Sequence, residues 1–104
     1  MYINILKNNI PYRILVSDIK YVKVLGENIV IKTNNKIYKV KGDSTNLIKK
    51  LKKYGFVDSS ENCIINLNYV KYIKNLYIYF NDGEIILLTY DKYKEIIKRI
   101  TIKD

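Results

Sequence analysis

Turn-forming residues divide the N-terminal part of the chain into short segments rich in isoleucine, valine and tyrosine. The dividing positions are Asn8 with Asn9, Gly26 to Asn28, and Asn34 with Asn35. Asparagine and glycine tolerate positive φ, and β-rich runs joined by such short turns are typical of antiparallel hairpins. This spacing predicts a meander of about five strands, each near the usual length of about five or six residues. Because Pro11 has no amide hydrogen to donate, the second strand is expected at a sheet edge.

Two segments have the period of an amphipathic helix instead. Residues 43–56 place lysines opposite an apolar stripe formed by Leu47, Ile48, Leu51 and Tyr54. Beyond position 91 a second stripe is formed by Tyr93, Ile96, Ile97 and Ile100. The sequence therefore predicts one short helix in the middle of the chain and another near its C-terminal end.

The ends of these helices carry capping signals. Asp43 or Ser44 can cap the start of the first helix, and Asp91 is predicted as the N-cap of the second. Gly55 is predicted as the left-handed residue that ends the first helix, with Phe56 as the apolar residue after it.

A polar run meets an apolar run directly after the first helix. Asp58 to Asn62 are five polar residues, and Cys63 to Ile65 are apolar. We interpret the polar run as the connector that leads from the helix to a buried strand. Cys63 opens that strand and is expected to be a small buried hydrophobe.

The residues after this strand complete the β-rich part. Asn66 is expected to satisfy backbone groups at the strand end, and a tight turn with Tyr69 and Ile73 packed inward is expected to follow. Tyr77 and Tyr79 alternate with Leu76, Ile78 and Phe80, so the two tyrosines are predicted to face away from the core. Asp82 and Gly83 then mark the centre of a hairpin turn.

Length and composition limit the class of protein. The chain has 104 residues and a mass of 12.3 kDa, so a single domain over residues 1–104 is expected. It has no long apolar run and no N-terminal signal pattern, so we expect a cytoplasmic protein that does not interact with membranes. With no histidine and one cysteine, it lacks a zinc-binding cluster and an imidazole base. We therefore expect no cofactor and no enzymatic activity.

The net charge indicates a class of partner. The formal charge of +9 favours a polyanion, because lysine and arginine release condensed counterions when they meet phosphates. Isoleucine, lysine, asparagine and tyrosine make up more than half of the chain. Their codons are rich in A and T, so the base composition of a genome is an alternative explanation for the lysines.

The order of these elements resembles that of the LytTR DNA-binding domain, the output module of many bacterial response regulators. Four stretches carry the resemblance: Asp18 to Thr33, the helix that ends before Phe56, Cys63 to Ile73, and Asn81 to Ile96. Together they cover essentially the whole chain. The resemblance implies a mainly β fold with two short helices, built from elongated antiparallel β-sheets of the LytTR type.

The resemblance also implies that DNA is bound through three loops that reach successive major grooves. By position, these loops are residues 25–28, 58–62 and 89–92. The DNA-binding residues that it implies are Asn28, Ser60, Glu61, Asn62, Thr89, Tyr90, Lys92 and Lys94.

The loops depart from the family pattern in their charge. The family's second loop reads Phe, any residue, Arg, any residue, His, Arg or Asn, Ser, whereas this chain has Phe56, Asp58, Ser60, Glu61 and Asn62. Where the third loop has Ser followed closely by Arg, this chain has Thr89, Tyr90 and Asp91. An arginine donates two hydrogen bonds to guanine, whereas a carboxylate can only accept, chiefly from the amino group of cytosine.

Two functions follow as alternatives. The first is a DNA-binding transcription regulator without an attached receiver domain, which binds double-stranded DNA and acts as a homodimer or with a related LytTR regulator. The second is a LytTR-like protein-interaction module that has lost sequence-specific DNA readout. A nuclease would require metal-binding carboxylates that converge from loops.

Overall fold

The computed structural model describes residues 1–100, without the side chain of Ile100. Within this range the chain forms ten strands and two α-helices. The strands are β1 (Tyr2–Lys7), β2 (Ile10–Leu15), β3 (Ile19–Leu25), β4 (Asn28–Thr33), β5 (Ile37–Lys41), β6 (Val57–Ser60), β7 (Cys63–Ile65), β8 (Val70–Lys74), β9 (Tyr77–Phe80) and β10 (Ile85–Leu87). The helices are α1 (Thr45–Lys53) and α2 (Tyr90–Ile100). Single turns of 3-10 helix, Val16–Asp18 and Leu67–Tyr69, precede β3 and β8.

The first hairpin forms as its turn residues predict. Asn8 and Asn9 have φ values of 51° and 62°, and this left-handed turn suits the right-handed twist of the two strands. β1 and β2 pair antiparallel in a two-stranded sheet, with Leu6 opposite Pro11. Both strands are therefore edges, which confirms the position expected for Pro11.

A five-stranded antiparallel sheet in the order β5-β4-β3-β7-β6 forms the centre of the molecule. One face packs against the first hairpin and α1, in a core of Ile3, Ile14, Val16, Ile19, Val22, Ile29, Ile31, Leu51, Phe56 and Ile64. The other face packs against a third sheet and α2, in a core of Tyr21, Val57, Cys63, Ile65, Ile78, Phe80, Ile86, Leu88 and Ile96. The burial of Cys63 to Ile65 confirms the predicted buried strand.

The third sheet has the order β10-β9-β8 and is antiparallel. Its β9–β10 turn is closed by a hydrogen bond from the Gly83 amide to the Phe80 carbonyl at 3.0 Å, which confirms the predicted hairpin. Along β9, Ile78 and Phe80 are buried, whereas Tyr77 is exposed and Tyr79 is half-buried. The two tyrosines therefore face away from the core, as predicted.

The interpretation of the polar run as a connector is wrong. Val57–Ser60 is the edge strand β6, and only Glu61 and Asn62 form the turn that leads to β7. Ser59 is fully buried, and its hydroxyl donates to the Cys63 carbonyl at 3.4 Å. A polar strand is stable here because its neighbours in the strand, Asp58 and Ser60, are only half-buried.

The expected tight turn after Asn66 is confirmed as the 3-10 turn Leu67–Tyr69, and Tyr69 and Ile73 pack against the second core as predicted. Strand β8, Val70–Lys74, was not predicted. Tyr69 is half-buried in the preceding 3-10 turn, and its hydroxyl donates to the Ser17 carbonyl at 2.7 Å. The role of Asn66 is confirmed: its amide nitrogen donates to the Ile19 carbonyl, and its side-chain oxygen accepts from the Asn68 amide, both at 3.0 Å.

Helix α1 follows its predicted stripe except at its end. Leu51 is fully buried, but Tyr54 lies beyond the last helical residue and is 37% exposed. The Asp43 carboxylate accepts hydrogen bonds from the hydroxyl and the amide of Thr45, and both bonds lower the pKa of Asp43. Gly55 has a φ of 92°, which confirms the left-handed helix end.

Helix α2 begins two residues earlier than an N-cap at Asp91 predicts. It starts at Tyr90, so Asp91 lies in its first turn and is not the N-cap. The Thr89 carbonyl accepts from the Tyr93 amide at 2.8 Å. Ile96 is buried, and the side chain of Ile100, the last member of the predicted stripe, lies outside the described residues.

A buried cation that was not predicted from the sequence joins the central and third sheets. Lys20 is 2% exposed, and its Nζ donates to Asp82 Oδ2 at 2.6 Å and to Glu84 Oε1. The Tyr21 hydroxyl donates to Glu84 Oε2 at 2.7 Å. The β3–β4 register shifts between Ile19 and Tyr21, and such a bulge lets Lys20 and Tyr21 face the same sheet.

This ionic cluster changes the titration of its acids. The hydrogen bond from Lys20 lowers the pKa of Asp82. Burial would raise the pKa of Glu84, but the hydrogen bonds from Lys20 and Tyr21 outweigh burial and lower it. Burial and the neighbouring Glu84 raise the pKa of Tyr21. Both carboxylates are therefore held in their charged form against the lysine.

The described chain measures 50 × 24 × 24 Å along its principal axes, which agrees with the expected elongated shape. Among residues 1–100, none of the helices has the length and apolar character needed to cross a membrane.

Candidate nucleic-acid interface

Two turns lie side by side at one end of the central sheet. The β3–β4 turn runs from Leu25 to Asn28, and the β6–β7 turn contains Glu61 and Asn62. Since β3 pairs with β7, these turns are neighbours, and the Val24 amide donates to the Asn62 carbonyl at 2.8 Å. The first and second loops expected to contact DNA are therefore joined by a backbone hydrogen bond.

The third loop is attached to the second one. The Thr89 amide donates to the Ser59 carbonyl at 2.9 Å, and the Thr89 hydroxyl reaches the same carbonyl at 3.4 Å. Helix α2 starts at the next residue, Tyr90, and packs against β6. The three loops thus form one row that follows the order β4, β3, β7, β6 and α2.

The candidate residues of the first two loops differ in exposure. Asn28 is exposed at the first position of β4, where it pairs with Leu25 on one side and Lys41 on the other. Ser60 is half-buried at the end of β6, and Glu61 and Asn62 are exposed in the turn. The amide and hydroxyl groups of Asn28, Ser60 and Asn62 can each donate or accept a hydrogen bond.

The candidate residues of the third loop form a cationic and aromatic cluster. Tyr90 is 61% exposed, and its ring stacks on that of Tyr93 with centroids 6.4 Å apart. Lys94 Nζ lies 4.8 Å from the centroid of the Tyr90 ring. Lys92 is half-buried and Thr89 is half-buried beside it.

Two of the four acids in these loops contact other groups of the protein. Asp58 Oδ2 lies 3.0 Å from Lys52 Nζ and 3.9 Å from Lys92 Nζ. A hydrogen bond from the Thr89 side chain lowers the pKa of Asp91. Glu61 is exposed in the turn. The Asp58 carboxylate is therefore engaged in contacts within the protein, whereas Asp91, like Glu27 and Glu61, is exposed to solvent.

A shallow groove of about 280 Å³ lies beside the first two loops. Its lining consists of Lys23, Leu25, Ser60, Asn62, Cys63, Ile85, Ile86 and Leu87. Lys23 was not predicted as a site residue, although its position two residues before the turn at Leu25 would have indicated it. Burial raises the pKa of the Cys63 thiol, so this cysteine is a packing residue at the base of the groove.

No three cysteine, aspartate or glutamate side chains within residues 1–100 converge closely enough to hold a metal ion.

The fold and the sequence both match known domains. A family model described as the LytTr DNA-binding domain matches residues 11–101 of the chain. A solved LytTr DNA-binding domain from a Bacillus cereus protein, described as a methyl-accepting/DNA response regulator, superimposes with a TM-score of 0.79. It is 13% identical in sequence, and the match covers 97% of each chain. No curated protein sequence matches. The structural likeness confirms the expected mainly β fold with two helices and antiparallel sheets.

Proposed function

Because the chain belongs to the LytTR DNA-binding domain family, we propose that it binds double-stranded DNA through its three loops and regulates transcription. The observation that carries this proposal is the pair of backbone hydrogen bonds, from Val24 to Asn62 and from Thr89 to Ser59. These bonds hold the three loops in one row, so the loops can meet a single DNA duplex together. Loops fixed in this way need little ordering when they bind, which favours affinity.

The row has the dimensions that successive-groove contact requires. Strands β4 and β6 are three inter-strand spacings apart, about 14 Å, and α2 lies beyond β6. A major groove is about 12 Å wide and the minor groove between two major grooves is about 6 Å wide. The first loop at one end of the row and the third loop at the other can therefore lie at major grooves on either side of one minor groove, with Lys92 beside the phosphates.

The side chains suit different contacts. Asn28 and Asn62 carry amides, which pair with adenine in a major groove. Glu61 can accept from the amino group of cytosine. Lys92 and Lys94 suit phosphates, as do the hydroxyl groups of Ser60, Thr89 and Tyr90. Base contacts are thus proposed for the first two loops and backbone contacts chiefly for the third.

Fluorescence anisotropy with labelled duplexes at several salt concentrations tests this proposal. Log K should fall linearly with log salt, with a slope of about −0.9 per phosphate contact. Lys92→Ala should weaken binding to all sequences and reduce the slope by about one contact, whereas Asn28→Ala should change the preference among sequences. Lys36→Ala is the matched control, because Lys36 is an exposed lysine in the β4–β5 turn at the opposite end of the central sheet.

Two different results would count against this proposal. Equal losses for Lys92→Ala and Lys36→Ala would mean that binding depends on net charge and not on the row of loops. No binding at low salt and at tens of micromolar protein would overturn the proposed function.

A specific observation favours a protein-interaction module as the second candidate. The outer face of the third sheet carries the apolar side chains of Tyr72, Tyr77, Tyr79, Ile85 and Leu87. Of these, Ile85 is 52% and Leu87 is 61% exposed, and both belong to the edge strand β10. An exposed edge strand can pair with another strand.

We take a second copy of this chain as the partner for that face. Strands β9 and β10 carry no charged residue, and the charges of β8 are Lys71 and Lys74. Two copies that meet through β9 and β10 would therefore bring few like charges together. Sedimentation velocity at increasing concentration should then show a dimer that Leu87→Lys disrupts. A monomer over the whole range, together with DNA binding, would exclude this candidate.

A further inference from the structure

Asp58 lies between two cations that belong to different helices. Its carboxylate is 3.0 Å from Lys52 in the last turn of α1 and 3.9 Å from Lys92 in the first turn of α2. The Asp58 side chain is 22% exposed, so water reaches it only in part. One acid on β6 thus faces a lysine from each of two helices at the outer end of the row of loops.

The residues around Asp58 direct its side chain toward the two lysines. Asp58 lines a small cleft of about 140 Å³ between the end of α1 and the side of α2, with Lys52, Phe56, Val57, Glu95, Ile96 and Arg99. The β6–β7 register shifts between Asp58 and Ser60, and this bulge changes the direction of the side chains next to the turn. Val57 and Ser59 on either side are buried, so Asp58 has one outward direction, toward the lysines.

We propose that Asp58 lowers the affinity of the domain for DNA by occupying Lys52 and Lys92 with a carboxylate that competes with phosphate. This inference rests on the proposed DNA-binding function and concerns the regulation of the same surface. Lys92 is 23% exposed and Lys52 is 47% exposed, so both can turn to a phosphate that approaches the third loop. A partly exposed ion pair is weak enough for a second anion to displace it.

The size of the effect follows from counterion release. If loss of the Asp58 charge frees one lysine for one more phosphate, the slope of log K against log salt steepens by about 0.9. At about 0.1 M salt this corresponds to about eightfold tighter binding, measured from a common value at 1 M salt. The same duplex and buffer must be used for every variant.

The decisive variant is Asp58→Asn, which removes the charge and keeps the shape of the side chain. Asp18→Asn is the matched control: it makes the same change of side chain in the 3-10 turn before β3, at the opposite end of the central sheet, and Asp18 forms no ion pair with any residue of the described chain. Asp58→Glu keeps the charge and should restore affinity close to that of the wild type. Thermal unfolding of each variant verifies that the measured protein is folded.

A double-mutant cycle tests whether Asp58 acts through the lysine. In a Lys92→Ala background, Asp58→Asn should give a smaller gain than in the wild type, because the freed cation is missing. Tighter binding and a steeper salt slope for Asp58→Asn, with a smaller effect of Asp18→Asn, support the inference. An equal gain for both variants, or unchanged or weaker binding by Asp58→Asn, overturns it while leaving the proposed function intact. Absence of binding by the wild type and by Asp58→Asn overturns both.

Discussion

Replacement of Lys20 by methionine should destabilise the fold while preserving the shape of the buried side chain. Methionine keeps an unbranched stem, so Lys20→Met removes the charge that two carboxylates face and little of the packing. The lysine Nζ also lies 4.5 Å from the centroid of the Phe80 ring, and this cation–π contact is lost as well. What remains is Asp82 and Glu84 next to each other without their cation.

The magnitude follows from the exposure of the two acids. Breaking a buried ion pair by removing one partner costs about 3–5 kcal/mol. Here Lys20 is 2% exposed, but the side chains of Asp82 and Glu84 are 56% and 33% exposed, so water can solvate both acids after the substitution. We therefore expect a loss of about 2–3 kcal/mol in the free energy of unfolding at neutral pH. For a domain of this size that loss lowers Tm by about 10–20 °C.

The pH dependence gives a second, independent readout. The pKa values of Asp82 and Glu84 are lowered in the folded state, so their stabilisation is present above the ordinary carboxyl pKa of about 4 and is lost as the pH falls through the lowered values. Acid should therefore cost the wild type more stability than it costs Lys20→Met. The difference in unfolding free energy between the two proteins should narrow as the pH is reduced from about 7 to about 3.

Chemical denaturation followed by circular dichroism measures these free energies, with Lys36→Met as the control at an exposed position. The cycle of Lys20→Met with Glu84→Gln measures the coupling between the two side chains. If Lys20→Met costs the same free energy whether or not Glu84 is charged, the loss comes from packing, and the assignment of an ionic role to Lys20 is refuted. Equal stability of the wild type and Lys20→Met would refute it as well.

Three further predictions concern single side chains. Gly55→Ala should lower the free energy of unfolding by about 1–2 kcal/mol, measured by denaturant unfolding. The cost is conformational, because φ is 92° at this position and a Cβ would meet no other atom within 4 Å. An unchanged denaturation midpoint would contradict this. Asn66→Ala should cost about 1–3 kcal/mol in the same measurement, because it leaves the buried Ile19 carbonyl without its donor, whereas Asn68→Ala, at an exposed position, should cost much less. Cys63 is 6% exposed, and burial raises the pKa of its thiol. It should therefore react with a thiol reagent at neutral pH far more slowly in the folded than in the denatured protein. Equal rates would show that the groove is open.

Local sequence signals predicted most of the hairpins and both helices, because each depends on residues close together in the chain. Asn8 and Asn9 form their own turn, and Gly55 ends its own helix. Strand β6 was missed because polarity alone suggested a loop. Whether Ser59 can be buried depends on a partner strand that accepts its hydroxyl hydrogen bond, and that strand is identified by pairing and not by composition.

The bulge in β3 explains why the ionic cluster was missed. Strict alternation would place Lys20 on the same side as Val22, which belongs to the core beneath the first hairpin. The shifted register instead turns Lys20 toward Asp82 and Glu84, more than sixty positions later in the chain. A one-residue bulge of this kind cannot be recognised from the local sequence when the residue is a lysine, which is common in this chain.

The candidate site could also be predicted only in part from the sequence. The positions of the three loops follow from the order of the elements, so the resemblance could indicate Asn28, Asn62 and Lys92 from the sequence. The ion pairs of Asp58 could not be predicted, because Lys52, Asp58 and Lys92 come from α1, β6 and α2 and meet only when both helices pack beside the sheet edge. An acid at a position where the family has arginine can therefore act on the cations beside it and not on a base.

The two ionic clusters lie at different places in the fold, and this separation makes the DNA experiments interpretable. Lys20 is at the start of β3 and the first loop is at its end, five residues or about 17 Å away along the strand. Lys20→Met should therefore reduce stability without changing the salt slope of DNA binding at temperatures where the protein stays folded. Asp58→Asn should change that slope with a smaller effect on stability, because its partners are partly exposed. A variant set in which affinity followed Tm and not the position of the charge would show that the loops respond to global stability and that no local competition with phosphate occurs.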